Sequence, residues 1–201
     1  ITAVDSDLNG NGASPIELVR EDREAVFTHP DNTKNELRMF TLNGSHWVND
    51  TMMLSANTYY RRSDRSTFNG DGANIVDDDG EVVTPFAPLG FDGSEEFIAL
   101  NNTSKTKQDS YGFGLQSTFL DDLFGRENQL IVGASYDRSD VKHASQSEIA
   151  QFTDSRGTDG TGFIIDETVV DGDIETDTFS LFFTNTHSLT ERLDLTVGGR
   201  Y

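Results

Sequence analysis

The residues best suited to chemistry are oxygen ligands. Asp5, Asp7 and Asn9 alternate ahead of Gly10 in Asp5-Ser6-Asp7-Leu8-Asn9-Gly10. That is the opening of a calcium loop, with hard oxygen donors at alternate positions and Gly at the sharp turn. A bidentate Glu belongs at the twelfth position, which is Ile16, and Glu17 stands one residue late. The same residues also read as a solvated Asp/Asn/Gly turn. Asp77-Asp78-Asp79-Gly80 offers the same pair of readings, a solvated charge run or a divalent-ion contact. His29, His46, His143 and His187 are scattered without metal-ligand spacing. No G-x-S-x-G, H-E-x-x-H or phosphate-loop pattern occurs, and the carboxylates are too numerous for one acid–base pair to stand out. The chain is not expected to be an enzyme, and the sole cofactor considered is Ca2+ in the acidic loops.

The composition narrows the partners. In 201 residues, 35 Asp and Glu face 15 Lys and Arg, a net charge of −20. Binding nucleic acid requires a basic face, so no nucleic-acid partner is expected. Without cysteine there are no disulfides, thiolate zinc sites or thiol nucleophiles. No apolar run is long enough for a transmembrane helix. A transmembrane β-strand is not excluded, because its alternating residues cancel in any hydropathy sum. Phe 14, Tyr 5 and Trp 1 are too many aromatics for a disordered acidic tail. Eighteen Gly against four Pro, with frequent Thr, Asn and Asp, predict a turn-rich all-β protein.

The elements that must hold these residues alternate with period two. Segments at 52–61, 110–119, 130–137, 179–186 and 193–201 each carry one apolar and one polar face, and a sixth at 36–49 is extended without a clear facing. Short connections (Asn49-Asp50, Asp121–Asn128 and Ser188–Arg192) alternate with long ones at 62–109 and 139–176. This is an antiparallel up-and-down meander of about six strands, in hairpins at 36–61, 110–138 and 177–201. Residues 1–35 read as a further loop, entered from a strand tail at Ile1–Val4. It carries a short helix near Pro15–Arg23, with Ser14 as cap and Pro15 at the first position.

The apolar faces could pack on a second sheet or meet lipid. Strands of about 9–14 residues suit a bilayer, whereas sandwich strands average five or six. Tyr60, Tyr111 and Tyr136 stand at the long-loop end of the apolar face and Phe119 at the short-turn end, the two-girdle arrangement of a membrane barrel. The expected lipid-facing set is Met52, Leu54, Tyr60, Tyr111, Phe113, Leu115, Phe119, Leu130, Val132, Tyr136, Phe179, Leu181, Phe183, Leu195 and Val197. Asn57, Gln116, Asp194 and Arg200 are expected to face a wet lumen.

Ser188-Leu189-Thr190-Glu191-Arg192-Leu193-Asp194-Leu195-Thr196-Val197-Gly198-Gly199-Arg200-Tyr201 resembles the turn-and-strand of TonB-dependent outer-membrane receptors. Asn128 to Asp137 and Leu54 to Arg61 are similar to further strands of those barrels. The resemblance implies a 22-stranded barrel closed by an amino-terminal plug, in the outer membrane of a Gram-negative bacterium. It implies import of a small-molecule nutrient such as a ferric siderophore, cobalamin or a saccharide. TonB would act through the plug, and lipid and lipopolysaccharide would surround the wall. Six strands cannot close the smallest common barrel, and neither a plug nor a TonB-contact segment is recognisable. The chain is therefore expected to be an interior fragment of such a barrel, although Tyr201 also imitates a terminal aromatic.

Two other functions fit the same residues: a passive porin or adhesin barrel, and a secreted calcium-stabilised β adhesin. Between Ser63 and Gln108 nine acids oppose Arg65, Lys105 and Lys107. An acidic vestibule of that kind would disfavour a highly anionic ligand.

Overall fold

The computed structural model describes residues 1–10, 14–77, 79, 81, 82, 86 and 97–201. They form β1 (Thr2–Asn9), α1 (Ile16–Glu21), β2 (Asp31–Trp47), β3 (Met52–Asn74), β4 (Phe97–Phe119), β5 (Asn128–Phe152), β6 (Thr158–Ile164), β7 (Val170–Thr190) and β8 (Leu193–Arg200). All strands belong to one antiparallel sheet in the order β1-β2-β3-β4-β5-β7-β8. β6 follows the same edge of β5 that β7 uses lower down, pairing Glu148–Phe152 while β7 pairs Asn128–Ser145. Among the described residues no helix is long and apolar enough to cross a membrane.

The meander is as expected, but the described residues form eight strands instead of six, and most are longer. The segment expected as a loop at 62–109 supplies the end of β3 and the start of β4. Met52↔Phe119 through Asn74↔Phe97 pair without a register shift. The stretch 139–176 likewise supplies the end of β5, all of β6 and the start of β7. A 23-residue strand reaches roughly 75 Å, far beyond a hydrocarbon layer of about 30 Å. The hairpins therefore continue well past any membrane boundary. The reason is local: Ser, Thr, Asn and Lys side chains leave the backbone ladder intact, so each added residue still gains its hydrogen bonds.

The calcium-loop reading of Asp5, Asp7 and Asn9 anticipated a turn, and β1 occupies the segment instead. Its eight residues pair in strict register with Asn32–Met39. The connection at Asn49-Asp50 is wider than two residues, running from Val48 to Thr51. The Asn49 side-chain carbonyl accepts hydrogen bonds from the Thr51 and Met52 amides. The last hairpin turns on Glu191-Arg192 alone. Ser14 does not cap α1. Its hydroxyl donates to the Ala25 carbonyl at 3.4 Å, and the helix starts after Pro15 with no side-chain cap.

At the end of the sheet away from the short turns, Ile75, Phe86, Leu100 and Ile165 form a small buried core, with Ile98, Ile149, Val76 and Val82 packed against it. On the same end a clasp links the segment before β2 to the β5–β6 hairpin. The Thr158 amide donates to the His29 carbonyl at 3.0 Å, and the Gly70 amide donates to the Pro30 carbonyl at 2.6 Å. The Thr158 hydroxyl reaches Asn101 at 2.6 Å, and Arg156 lies over the Phe27 ring. A Cβ on Gly70 would stand 2.2 Å from the Thr158 hydroxyl, so only glycine allows the hairpin to cross there.

Candidate functional site

Directly paired residues in an antiparallel sheet project to the same face. The register therefore sorts the side chains without ambiguity. One row runs Leu54, Ser117, Val132, Phe183; the next Leu115, Ala134, Leu181; the next Phe113, Tyr136, Phe179. Met52, Phe119 and Leu130 form the lower row, joined by Val197, and Leu195 lies below it. Tyr60 and Tyr111 form the upper one, with the Tyr111 and Tyr136 rings 6.5 Å apart. Every residue in the expected lipid-facing set is thus on one face. Much of it is exposed: Phe179 is 61% accessible and Phe113 51%. Facing of the 36–49 segment, open in the sequence, is settled by pairing: Phe40 and Leu42 join this apolar face, while Asn43, Ser45 and Trp47 take the other.

The apolar face ends abruptly above the tyrosines. Tyr60 donates to Asp109 at 2.7 Å and Tyr136 donates to Asp177. Above that row the same face carries ion pairs. Arg138 meets Asp140, Glu175 and Asp177, Arg62 meets Asp64, and Lys142 meets Asp173. At the β1 edge, Asn32 and Lys34 both bind Asp7 and hold its carboxyl below the usual carboxylate range. Asp5, Asp7 and Asn9 sit on this face in an extended strand, where alternate residues are about 6.6 Å apart. Among the described residues no group of three His or acidic side chains could hold a metal ion. From the Asp77 run, Asp77 accepts backbone amides from Asp79 and Glu81, while Asp78 and Gly80 lie outside the described residues.

The opposite face is polar. Asn57, Gln116, Asp194 and Arg200, the expected lumen-facing set, all stand on it, with Arg200 donating to Ser180 at 3.0 Å. It is built with glycines as sockets. Tyr59 donates to Asp137 at 3.0 Å across β4, in the row Tyr59, Gly112, Asp137. Phe182 covers Gly133 in the same way, and Asn57 covers Gly114. An open pocket on this wall is lined by Asn43, Ser55, Asn57, Gln116, Ser135, Asp137 and Phe182. Above Asp137, Gln108 donates to Ser110 and Ser139, and Thr106 bonds His143 at 2.9 Å.

A long meander, an exposed apolar face closed by tyrosines, and a wet opposite face are the attributes of an outer-membrane barrel wall. The family described as TonB dependent receptor-like, beta-barrel, matches residues 3–201. The chain belongs to the TonB-dependent receptor β-barrel family. No curated protein matches the chain. The family's members import nutrients across the Gram-negative outer membrane, and the family is one of transporters and not of enzymes.

For a receptor barrel, the sequence reading overlooked the charged upper half of the strands. A signal was present. Arg62 and Asp64, Asp109 and Lys107, Arg138, Asp140 and Lys142, and Asp173, Glu175 and Asp177 are charged at alternate positions, with Ser63, Gln108, Ser139, Val141, Ile174 and Thr176 between. The strand charges between Ser63 and Gln108 divide between the two faces. Asp64, Lys105 and Lys107 project to the apolar-face side, and Asp71 stands on the polar face. Asp92, Glu95 and Glu96 lie outside the described residues.

Proposed function

We propose that this chain is a wall segment of an active nutrient importer energised through TonB. Its apolar face would contact lipid, and the charged belt above the tyrosines would lie among lipopolysaccharide headgroups. Its polar face would line the lumen through which the nutrient passes. The observation that carries the reading is the segregation of the two faces along one register. The rows from Met52 to Tyr60 cover nine residues, the length of a transmembrane β-strand, and charge begins immediately beyond. Coupling to TonB is supported by family membership.

Growth experiments with cells lacking the full-length receptor test the reading, with iron chelate, cobalamin or saccharide limiting in turn. The expected result is a defect on one of them, reproduced by loss of TonB and by a protonophore in an uptake assay. Uptake that persists without TonB would make the protein a passive pore.

A further inference from the structure

Taking the polar face as the lumen wall, we infer that this stretch of it binds an anionic small molecule through Arg61 and Arg65. The molecule would carry carboxylate, catecholate or phosphate oxygens spread over about 13 Å, the separation of residues four apart on a strand. The net charge of −20 points the other way, but charge is not evenly distributed. Strand carboxylates crowd the opposite face, as Glu36, Asp64, Asp109, Asp140, Glu175 and Asp177 do. Between the Tyr59–Asp137 row and the Asp31–Asn69 row, the polar face of β1–β5 and β7 carries Arg61, Arg65 and His143 and no carboxylate.

Pairing sharpens the contrast. Arg62, the immediate neighbour of Arg61, is held by Asp64 on the other face. Arg61 and Arg65 are exposed and, among the described residues, make neither an ion pair nor a hydrogen bond. In a chain with more than two acids per base, unpaired guanidiniums on one face leave their forked donors free for a planar anion. Around and between them stand groups already ordered: the Gln108 amide on the Ser110 and Ser139 hydroxyls at 3.1 and 3.0 Å, and Thr106 on His143. These suit hydroxyls or carbonyls on the same ligand. The apolar residues on this band, Val4, Leu8, Leu37, Met39, Val141, Ile174 and Val170, are all aliphatic or thioether, with no Phe, Tyr or Trp, so a neutral ring finds no aromatic face to stack on.

Calorimetric titration of the purified full-length receptor with three probes tests the inference: trigalacturonate, ferric citrate and maltotriose. At least one of the two anions binds, and which one does distinguishes an acidic saccharide from a carboxylate chelate. Arg61→Gln and Arg65→Gln each weaken that anion about tenfold or more, while Lys105→Gln on the opposite face leaves it unchanged. The inference is overturned if neither anion binds, if the double Arg variant binds like the wild type, or if maltotriose binds as tightly as the anions. An Asn57→Cys variant, exposed on the polar face within the rows from Met52 to Tyr60, separates this from failure of the lumen reading. A thiol reached by a water-soluble maleimide keeps the lumen wall intact, whereas one reached only by a lipid-soluble reagent removes that reading as well.

Discussion

Tyr59 and Asp137 are hydrogen-bonded at 3.0 Å although their strands are not paired, because Gly112 between them has no side chain. A Cβ there would lie 2.5 Å from both the Asp137 carboxylate and the Tyr59 ring. Gly112→Ala is expected to push the two apart and cost about 1–2 kcal/mol, the value of a partly buried charge-assisted bond. Tyr59→Phe should reproduce most of that loss. Equilibrium urea unfolding of the full-length receptor in lipid checks both, and an unchanged midpoint for Gly112→Ala would remove the bridge from the account.

Gly133 is under tighter constraint. Its added Cβ would meet the Phe182 ring at 2.2 Å and the Leu115 carbonyl, which is backbone, at 2.8 Å. Gly133→Ala should destabilise by about 2–3 kcal/mol, as overpacking does. Gly44 has nothing within 4 Å of that position. Gly44→Ala should be neutral or stabilise by up to about 1 kcal/mol, through the reduced freedom of the unfolded chain. Equal effects at the two sites in the same unfolding series would contradict the socket argument.

Depth in the bilayer predicts a gradient of tolerance. Val132→Arg and Leu181→Arg, in the middle rows of the apolar face, should each cost about 2–4 kcal/mol. Tyr60→Arg, beside the charged belt, should cost about 0–1 kcal/mol for the charge itself. If the three substitutions cost the same, the apolar face does not follow a membrane profile.

Topology gives a prediction free of energetics. The β5–β6 turn at Thr153–Gly157 belongs to the clasp end, and Glu191-Arg192 to the short-turn end. In intact cells a membrane-impermeant maleimide should label Asp154→Cys and leave Glu191→Cys unlabelled. The reverse pattern would invert the orientation of the barrel.

How far the sequence carried this account depends on where side chains alternate in polarity. Between Met52 and Tyr60, or Tyr111 and Phe119, one face is apolar and the other is not, and period two is visible at once. From Arg62 to Thr67 both faces are polar, and from Ser139 to Gln146 only Val141 and Ala144 interrupt the polar residues, one on each face. The hydropathy period vanishes there even though the strands continue, and these stretches read as loops. Asp5, Asp7 and Asn9 were ambiguous for a related reason: alternate oxygen ligands fit a turn or the charged face of an edge strand, and the extended backbone shows only in the pairing with Asn32–Met39. The Tyr59–Asp137 bridge was out of reach because it joins residues 78 apart in the sequence through a third strand. The facing of Phe40 and Leu42 was equally hidden until their partners Tyr60 and Thr58 were known.

If one register separates a lipid face from a lumen face, spin labels in the full-length receptor distinguish the two. Val132 and Ser135 lie three residues apart on β5 and project to opposite faces. In reconstituted bilayers a label at Val132→Cys should be relaxed by oxygen, which concentrates in lipid, and not by a water-soluble nickel chelate. A label at Ser135→Cys should show the opposite preference. Nickel access at Val132, or oxygen preference at Ser135, would contradict the assignment of the two faces.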